Sequence, residues 1–203
     1  MWNNSIHYYE AILRSVPRSC AKALDVGCGQ GLLARKLAMY CDEVVALDVD
    51  SATLTLARQQ GGERIDFLQA DVMAYPFPAE SFDAITAVAT LHHLPLEPAL
   101  QRFRELLKPG GVLAVIGLYR GDTFTDYAFD AMGLVASCAL RLLKGWSEVA
   151  APAAEPQETL DEIRAACRKF LPEAKLQRRI LFRYTLFWRK PRLPHAPARL
   201  KSV

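Results

Sequence analysis

The chain has 203 residues, 51% of them apolar and 23% charged, the proportions of one soluble globular domain able to build a large core. That composition excludes a disordered chain, and no apolar run approaches the roughly 18 residues of a membrane span; the run 132–140 stops at Arg141. The net charge of +3 is split, because residues 174–203 hold nine Lys or Arg and no Asp or Glu, leaving −6 on residues 1–173. A basic end of this kind can meet an anionic partner such as nucleic acid or lipid headgroups, although a solvated strand face with a loose tail is the plainer expectation.

Met1-Trp2-Asn3-Asn4-Ser5 has neither a basic flank nor an apolar core, so no signal peptide is expected and the expected location is cytoplasmic. Five cysteines (Cys20, Cys28, Cys41, Cys138, Cys167) without a C-x-x-C pair argue against a disulfide framework and against zinc, and read as reduced, buried thiols. In chain order, strands are expected at 21–26, 43–47, 64–69, 82–88 and 112–118, separated by helical stretches at 32–40, 52–59 and 97–107. Ser51, following Asp50, suits a cap, and Pro109-Gly110-Gly111 stops the third helix. This alternation is the pattern of βαβ units around a mostly parallel sheet.

The rhythm breaks at 119–156, a segment with an amphipathic stretch at 129–143 and a Pro/Ala-rich linker at 150–156, read as a lid over a substrate. Thr159 and Glu162 then form a capping box for a helix that Pro172 closes. Residues 175–181 and 183–189 read as a terminal antiparallel hairpin. Residues 1–190 are expected to be a single domain, with 191–203 a Pro-rich basic tail expected to be disordered.

The sharpest local signal is Ala23-Leu24-Asp25-Val26-Gly27-Cys28-Gly29-Gln30-Gly31, an apolar strand entering three alternate glycines and then a helix. Such a loop lets backbone approach a ligand closely and offers helix N-terminal amides. The dinucleotide fingerprint needs its third glycine one place later, where Leu32 stands, so a nicotinamide or flavin oxidoreductase fits poorly. Asp48, ending the second strand, can accept from a ribose diol, and Asp71, after the third, from an adenine amino group.

These segments, with Gln69-Ala70-Asp71, Phe77-Pro78-Ala79-Glu80-Ser81-Phe82-Asp83, Leu91-His92-His93-Leu94 and Leu107-Lys108-Pro109-Gly110-Gly111, resemble the class I S-adenosylmethionine-dependent methyltransferases, particularly the small-molecule type 11 group. The resemblance covers residues 21–118, about half the chain. It implies a Rossmann-like α/β fold: a seven-stranded, mostly parallel sheet with helices on both faces, the last strand antiparallel in a C-terminal hairpin, and a lid insertion after the fifth strand. It implies S-adenosylmethionine held by Asp25, Gly27, Cys28, Gly29, Gly31, Asp48, Val49, Asp71, Val72 and Val88. The 108–111 segment reads as a structural turn rather than a site.

Methyl transfer from a sulfonium needs chiefly alignment and exclusion of water, so a base is optional. His92 and His93, directly after the fourth strand, are the candidate catalytic residues if the acceptor must lose a proton, and otherwise packing imidazoles. His7, Tyr8 and Tyr9 form a second candidate wall of the pocket, since related enzymes fold an N-terminal helix over the cofactor. The run Ala87-Val88-Ala89-Thr90 lacks the motif of amino-directed nucleic-acid methylases, no cysteine lies between Cys41 and Cys138 for a cytosine-carbon methylase, and 86–93 lacks a carboxylate for magnesium. No metal and no nucleic-acid partner are therefore expected. A small acceptor remains, and Phe124, Tyr127, Phe129, Met132, Leu134 and Trp146 of the insertion suggest a hydrophobic or aromatic one. The alternative is a non-catalytic S-adenosylmethionine-binding or interaction protein with the same fold. Oligomeric state is not legible.

Overall fold

Strand and helix periods alternate as the apolar pattern predicts, and the computed structural model describes them over residues 8–122, 155–179 and 183–192. The elements are α1 (Tyr9–Ser15), β1 (Cys20–Val26), α2 (Leu32–Leu37), β2 (Cys41–Asp48), α3 (Ser51–Gln59), β3 (Ile65–Gln69), β4 (Phe82–Val88), a 3-10 turn (Leu91–His93), α4 (Leu96–Leu106), β5 (Leu107–Leu118), α5 (Leu160–Phe170), β6 (Lys175–Arg179) and β7 (Arg183–Arg189). The seven strands form one sheet in the order β3-β2-β1-β4-β5-β7-β6. Strands β1 to β5 pair in parallel, and β7 runs antiparallel to both β5 and β6. This is the Rossmann-like architecture expected, with the C-terminal hairpin in place.

Both sheet faces are covered, which is why the parallel strands read as nearly continuous apolar runs. One face sets Leu24, Ile85, Leu113 and Val115 against Leu100 and Phe103 of α4, Ile163 of α5 and Trp188. The other presents small residues, Ala23, Ala46, Ala84 and Ala114, to Ile12 and Leu13 of α1, Leu33 and Leu37 of α2 and Leu54 of α3. Alternation along each strand sends successive residues to opposite faces, so Ala23 and Leu24 enter different layers. Truncating a fully buried residue such as Leu113 to Ala costs about 2–5 kcal/mol by loss of transfer energy and creation of a cavity.

At the amino end of the sheet, Asp83 Oδ2 accepts from the Ala21 and Lys22 amides at 3.1 and 2.9 Å and from Lys108 Nζ at 2.9 Å, tying β1, β4 and β5 together. The capping box of α5 forms as expected: Thr159 Oγ1 accepts from the Glu162 amide at 3.3 Å and Glu162 Oε2 from the Thr159 amide at 2.8 Å. Among the described residues no helix is long and apolar enough to cross a membrane.

Four local expectations are corrected. Cys20 and Cys41 are register partners at the start of β1 and β2 and form a disulfide, so they are not the reduced thiols expected; Cys28 and Cys167 are free and buried. Asp50, not Ser51, caps α3, its Oδ1 accepting from the Ala52 amide at 2.9 Å. Helix α2 ends at Leu37 rather than Tyr40, where the chain turns tightly into β2. Residues 108–111 bulge out of β5 between the pairs Phe82↔Leu107 and Ala84↔Val112. Helix α4 has already ended, because Pro109 disfavours helical backbone at Lys108. The insertion's apolar residues from Phe124 to Trp146, His7, residues 180–182 of the hairpin and residues 193–203 of the tail lie outside the described residues.

Candidate functional site

The parallel strands β1, β2 and β4 deliver their last residues to one edge of the sheet, the edge where open α/β sheets bind ligands. The glycine loop is pinned there: the Gly27 and Cys28 amides donate to Leu47 O at 2.7 and 3.0 Å, and the Gly31 amide to Cys28 O at 2.9 Å. Gly27 and Gly29 have φ of +67° and +52°, a region that costs an L residue about 1–2 kcal/mol. A Cβ at Gly27 would collide with the Thr90 side chain, so this glycine lets the loop lie against the end of β4. A Cβ at Gly29 would meet nothing nearer than Thr53 Cγ2 at 4.0 Å and would project into open space beside Asp48.

Asp48 closes β2 half-buried, its Oδ2 accepting from the Gly29 amide at 2.8 Å and its Oδ1 from the Asp50 amide at 3.0 Å. Each oxygen thus keeps a lone pair. Val49 beside it is exposed, and Gln69 Nε2 donates to its carbonyl at 3.3 Å. Asp71 is exposed and forms a turn, accepting from the Met73 amide at 2.8 Å, while Val72 is buried in the core beneath. Cys28 is buried, and its thiol pKa is pushed up by desolvation and by Asp25 and Asp48.

Asp25 lies at the heart of the arrangement. It is buried opposite its register partner Thr86, whose hydroxyl donates to Oδ1 at 2.7 Å; Oδ2 is buried with no hydrogen-bond partner among the described residues. Desolvation lifts its pKa to about 7, with the Thr86 hydrogen bond opposing and the charge of Asp48 adding to the rise. Thr86 and Thr90 escaped the sequence reading, since only the β1/β4 register and the loop contact reveal them.

At the end of β4, Val88 is half-buried and Ala89 takes φ +52°, an uncommon conformation for alanine that turns the chain into the 3-10 turn. The His92 and His93 rings stack there with centroids 4.0 Å apart. His93 is exposed; His92 is half-buried, and its Nδ1 has no hydrogen-bond partner among the described residues. Burial, His93 and Arg183 together press the His92 pKa down to about 4, so its imidazole is neutral at physiological pH. The structure therefore brings Asp25, Gly27, Cys28, Gly29, Gly31, Asp48 and Val49 into one cluster with the end of β4, and sets Asp71 and Val72 after β3 on the same edge. Among the described residues no three His, Cys, Asp or Glu side chains converge in a way that could hold a metal ion.

A family profile described as "Methyltransferase domain" matches residues 24–115. The uncharacterized methyltransferase Rv0089 of Mycobacterium tuberculosis (strain H37Rv) is 36% identical over 193 residues, covering 94% of this chain and 98% of that protein. The ubiquinone biosynthesis O-methyltransferase of Xylella fastidiosa is 38% identical over 141 residues, covering 65% of this chain and 54% of that protein. Among solved structures, the N-methyltransferase NodS of Bradyrhizobium japonicum in complex with S-adenosyl-L-homocysteine superimposes with a TM-score of 0.64 at 18% identity, covering 92% and 87% of the two chains. The [4+2]-cyclase SpnF does so with 0.67 at 17%, covering 92% and 82%. With a near full-length relative at this identity, the profile match and the fold, the chain belongs to the class I S-adenosylmethionine-dependent methyltransferases and takes S-adenosylmethionine as its cofactor.

Proposed function

We propose that the chain transfers the methyl group of S-adenosylmethionine to a small organic acceptor of hydrophobic or aromatic character. The observation that carries the cofactor half of this reading is the pairing of Gly29, open above its Cα, with Asp48, which accepts from the Gly29 amide and whose oxygens each keep a lone pair. Those residues fit an adenosyl ligand: Asp48 accepts from the ribose hydroxyls beside Val49, and Asp71 and Val72 receive the adenine. Gly27, Cys28, Gly29 and Gly31 offer backbone to the methionine moiety, and the buried Asp25 carboxyl answers its ammonium group. Val88 stands beside the reacting centre.

When bound, the cofactor supplies an already activated methyl group. The chain then has to align the acceptor in line with the breaking carbon–sulfur bond and keep water out, a positioning effect that can lower a barrier by about 7–11 kcal/mol in favourable cases. Half-buried Tyr8 and buried Tyr9 of the α1 region support an apolar or aromatic acceptor, as does the name of the ubiquinone biosynthesis O-methyltransferase that matches part of the chain. His92, neutral but a weak base, suits a hydrogen bond that orients the acceptor, and exposed His93 is the second candidate to take a proton. The test is methyl transfer from labelled S-adenosylmethionine to a panel of phenols, quinols and aliphatic acceptors. Turnover restricted to apolar or aromatic acceptors is expected; turnover only on strongly hydrophilic ones, such as free sugars, overturns the acceptor assignment.

A further inference from the structure

Strand β4 ends in Ala84-Ile85-Thr86-Ala87-Val88, and Thr86 carries its one hydroxyl. A valine there would give the same β-branched packing with no polar atom to satisfy. Thr86 is buried on the sheet face that α1 and α2 cover, and the β1/β4 register sets Asp25, equally buried, directly opposite. The Thr86 hydroxyl lies between two acceptors, Asp25 Oδ1 at 2.7 Å and Leu24 O at 3.4 Å. A hydroxyl holds a single hydrogen beside its lone pairs, so it can give that hydrogen to either acceptor and can also accept.

The groups packed around Asp25 leave both of its forms within reach. Asp48, at the end of β2, adds like charge. Cys28 on the loop and Tyr9 on α1 both feel the Asp25 charge, and burial holds them protonated and neutral; Arg183 of β7 acts on Tyr9. From α2 the Ala34 amide favours the ionised carboxyl, while Arg35 donates to Gln30 O and Gln60 Oε1 at 2.7 and 2.6 Å. Desolvation outweighs the rest and raises Asp25 to about 7. We propose that Thr86 is a positioning residue of the cofactor site, holding the Asp25 carboxyl in one orientation through both of its protonation states. In the free protein the protonated carboxyl donates to Thr86 Oγ1, and the Thr86 hydrogen turns to Leu24 O. When the cofactor's ammonium arrives, the Asp25 proton leaves to solvent and Thr86 donates to Oδ1, so the carboxylate meets the ammonium already aimed. This rests on the S-adenosylmethionine reading of the site and adds a residue that acts through Asp25. Valine at this position keeps the volume and loses the donor, which penalises the ionised carboxyl most because hydrogen bonds to charged groups are the stronger ones.

The test is calorimetric titration of the whole chain, between about pH 5.5 and 8.5, with S-adenosylhomocysteine and with methylthioadenosine, which keeps the ribose and adenine but has no ammonium. Wild-type affinity for S-adenosylhomocysteine should rise by up to about tenfold per pH unit and level off near neutrality, while affinity for methylthioadenosine stays flat. Thr86→Val should move the levelling point up by about one pH unit, weakening S-adenosylhomocysteine about tenfold at pH 6 and no more than about threefold at pH 8.5. Thr86→Ser should keep the wild-type profile, and methylthioadenosine should respond to neither substitution. If Thr86→Val does not fold, Thr86→Cys, a weaker donor of similar size, should shift the profile in the same direction. A loss that is equal at every pH overturns the inference and makes Thr86 a packing residue, with the cofactor reading left standing. A flat wild-type profile, a Thr86→Ser variant that behaves like Thr86→Val, or methylthioadenosine following the same profile overturns it equally. Absence of S-adenosylhomocysteine binding by the wild type at every pH overturns the cofactor reading and the inference with it.

Discussion

On the β1–β2 side of the ligand-binding edge the charged side chains are carboxylates, Asp25 against a threonine hydroxyl and Asp48 against two backbone amides. On the β5–β7 side they are guanidiniums, with Arg179 and Arg183 facing tyrosines and a histidine. The contrast follows the chain's charge split, with nine basic and no acidic residues after position 173. The carboxylates of the first region match a donor that presents a ribose diol and an ammonium.

The sharpest way to break the donor side is Gly29→Val. A β-branched side chain there meets a positive φ and fills the open space beside Asp48, so S-adenosylhomocysteine binding should disappear while the variant loses only about 1–2 kcal/mol of stability. Retained binding would show that the space is not the cofactor's. Asp25 gives the next largest effect. Its folded pKa, about 7, exceeds its ordinary 3.8, so the native state holds the proton longer than the unfolded one. Stability from this group is fully present below pH 4 and is lost as pH rises toward 7, on the order of 4 kcal/mol in the ligand-free protein. Chemical denaturation across that range should show the fall, and Asp25→Asn should flatten it; an unchanged slope would remove Asp25 as the cause. Binding should release a proton near pH 7 if the cofactor's ammonium ionises Asp25, which calorimetry in buffers of different ionisation enthalpy would detect.

Away from the ligand edge, the Cys20–Cys41 disulfide closes a separation of 21 residues, worth about 3 kcal/mol of unfolded-state entropy. Reduction, or Cys20→Ser with Cys41→Ser, should lower the melting temperature without altering S-adenosylhomocysteine affinity in the folded protein. On the acceptor side, His92→Ala should lower kcat with cofactor affinity unchanged, and any limb of the pH–rate profile due to His92 should lie near pH 4 rather than 6.5. An equal loss of stability with no rate effect would make both histidines packing residues.

Much of the donor side was legible in the residues because its signals are local. The glycine loop, Asp48 and Asp71 lie at or just after the end of a strand whose apolar run is visible on its own. The β5–β7 side was not, because it depends on register. Arg179 and Arg183 look like members of a charge run until the hairpin pairs them. Cys20 and Cys41 likewise meet only because β1 and β2 align their first residues. Thr86 reads as an ordinary strand residue until β4 sets it opposite Asp25. Helix ends were also misplaced where a neighbour decided them, as at Pro109.

The most direct test of a donor site on the β1–β2 side, apart from the β5–β7 side, is S-adenosylhomocysteine titration of the wild type, Asp48→Ala and Arg183→Gln under one set of conditions. Asp48→Ala should weaken binding by about 1.5–3 kcal/mol, through loss of charge-assisted hydrogen bonds to the ribose, and Arg183→Gln should leave it within twofold. Unchanged affinity in Asp48→Ala, or a larger loss in Arg183→Gln than in Asp48→Ala, would contradict the division.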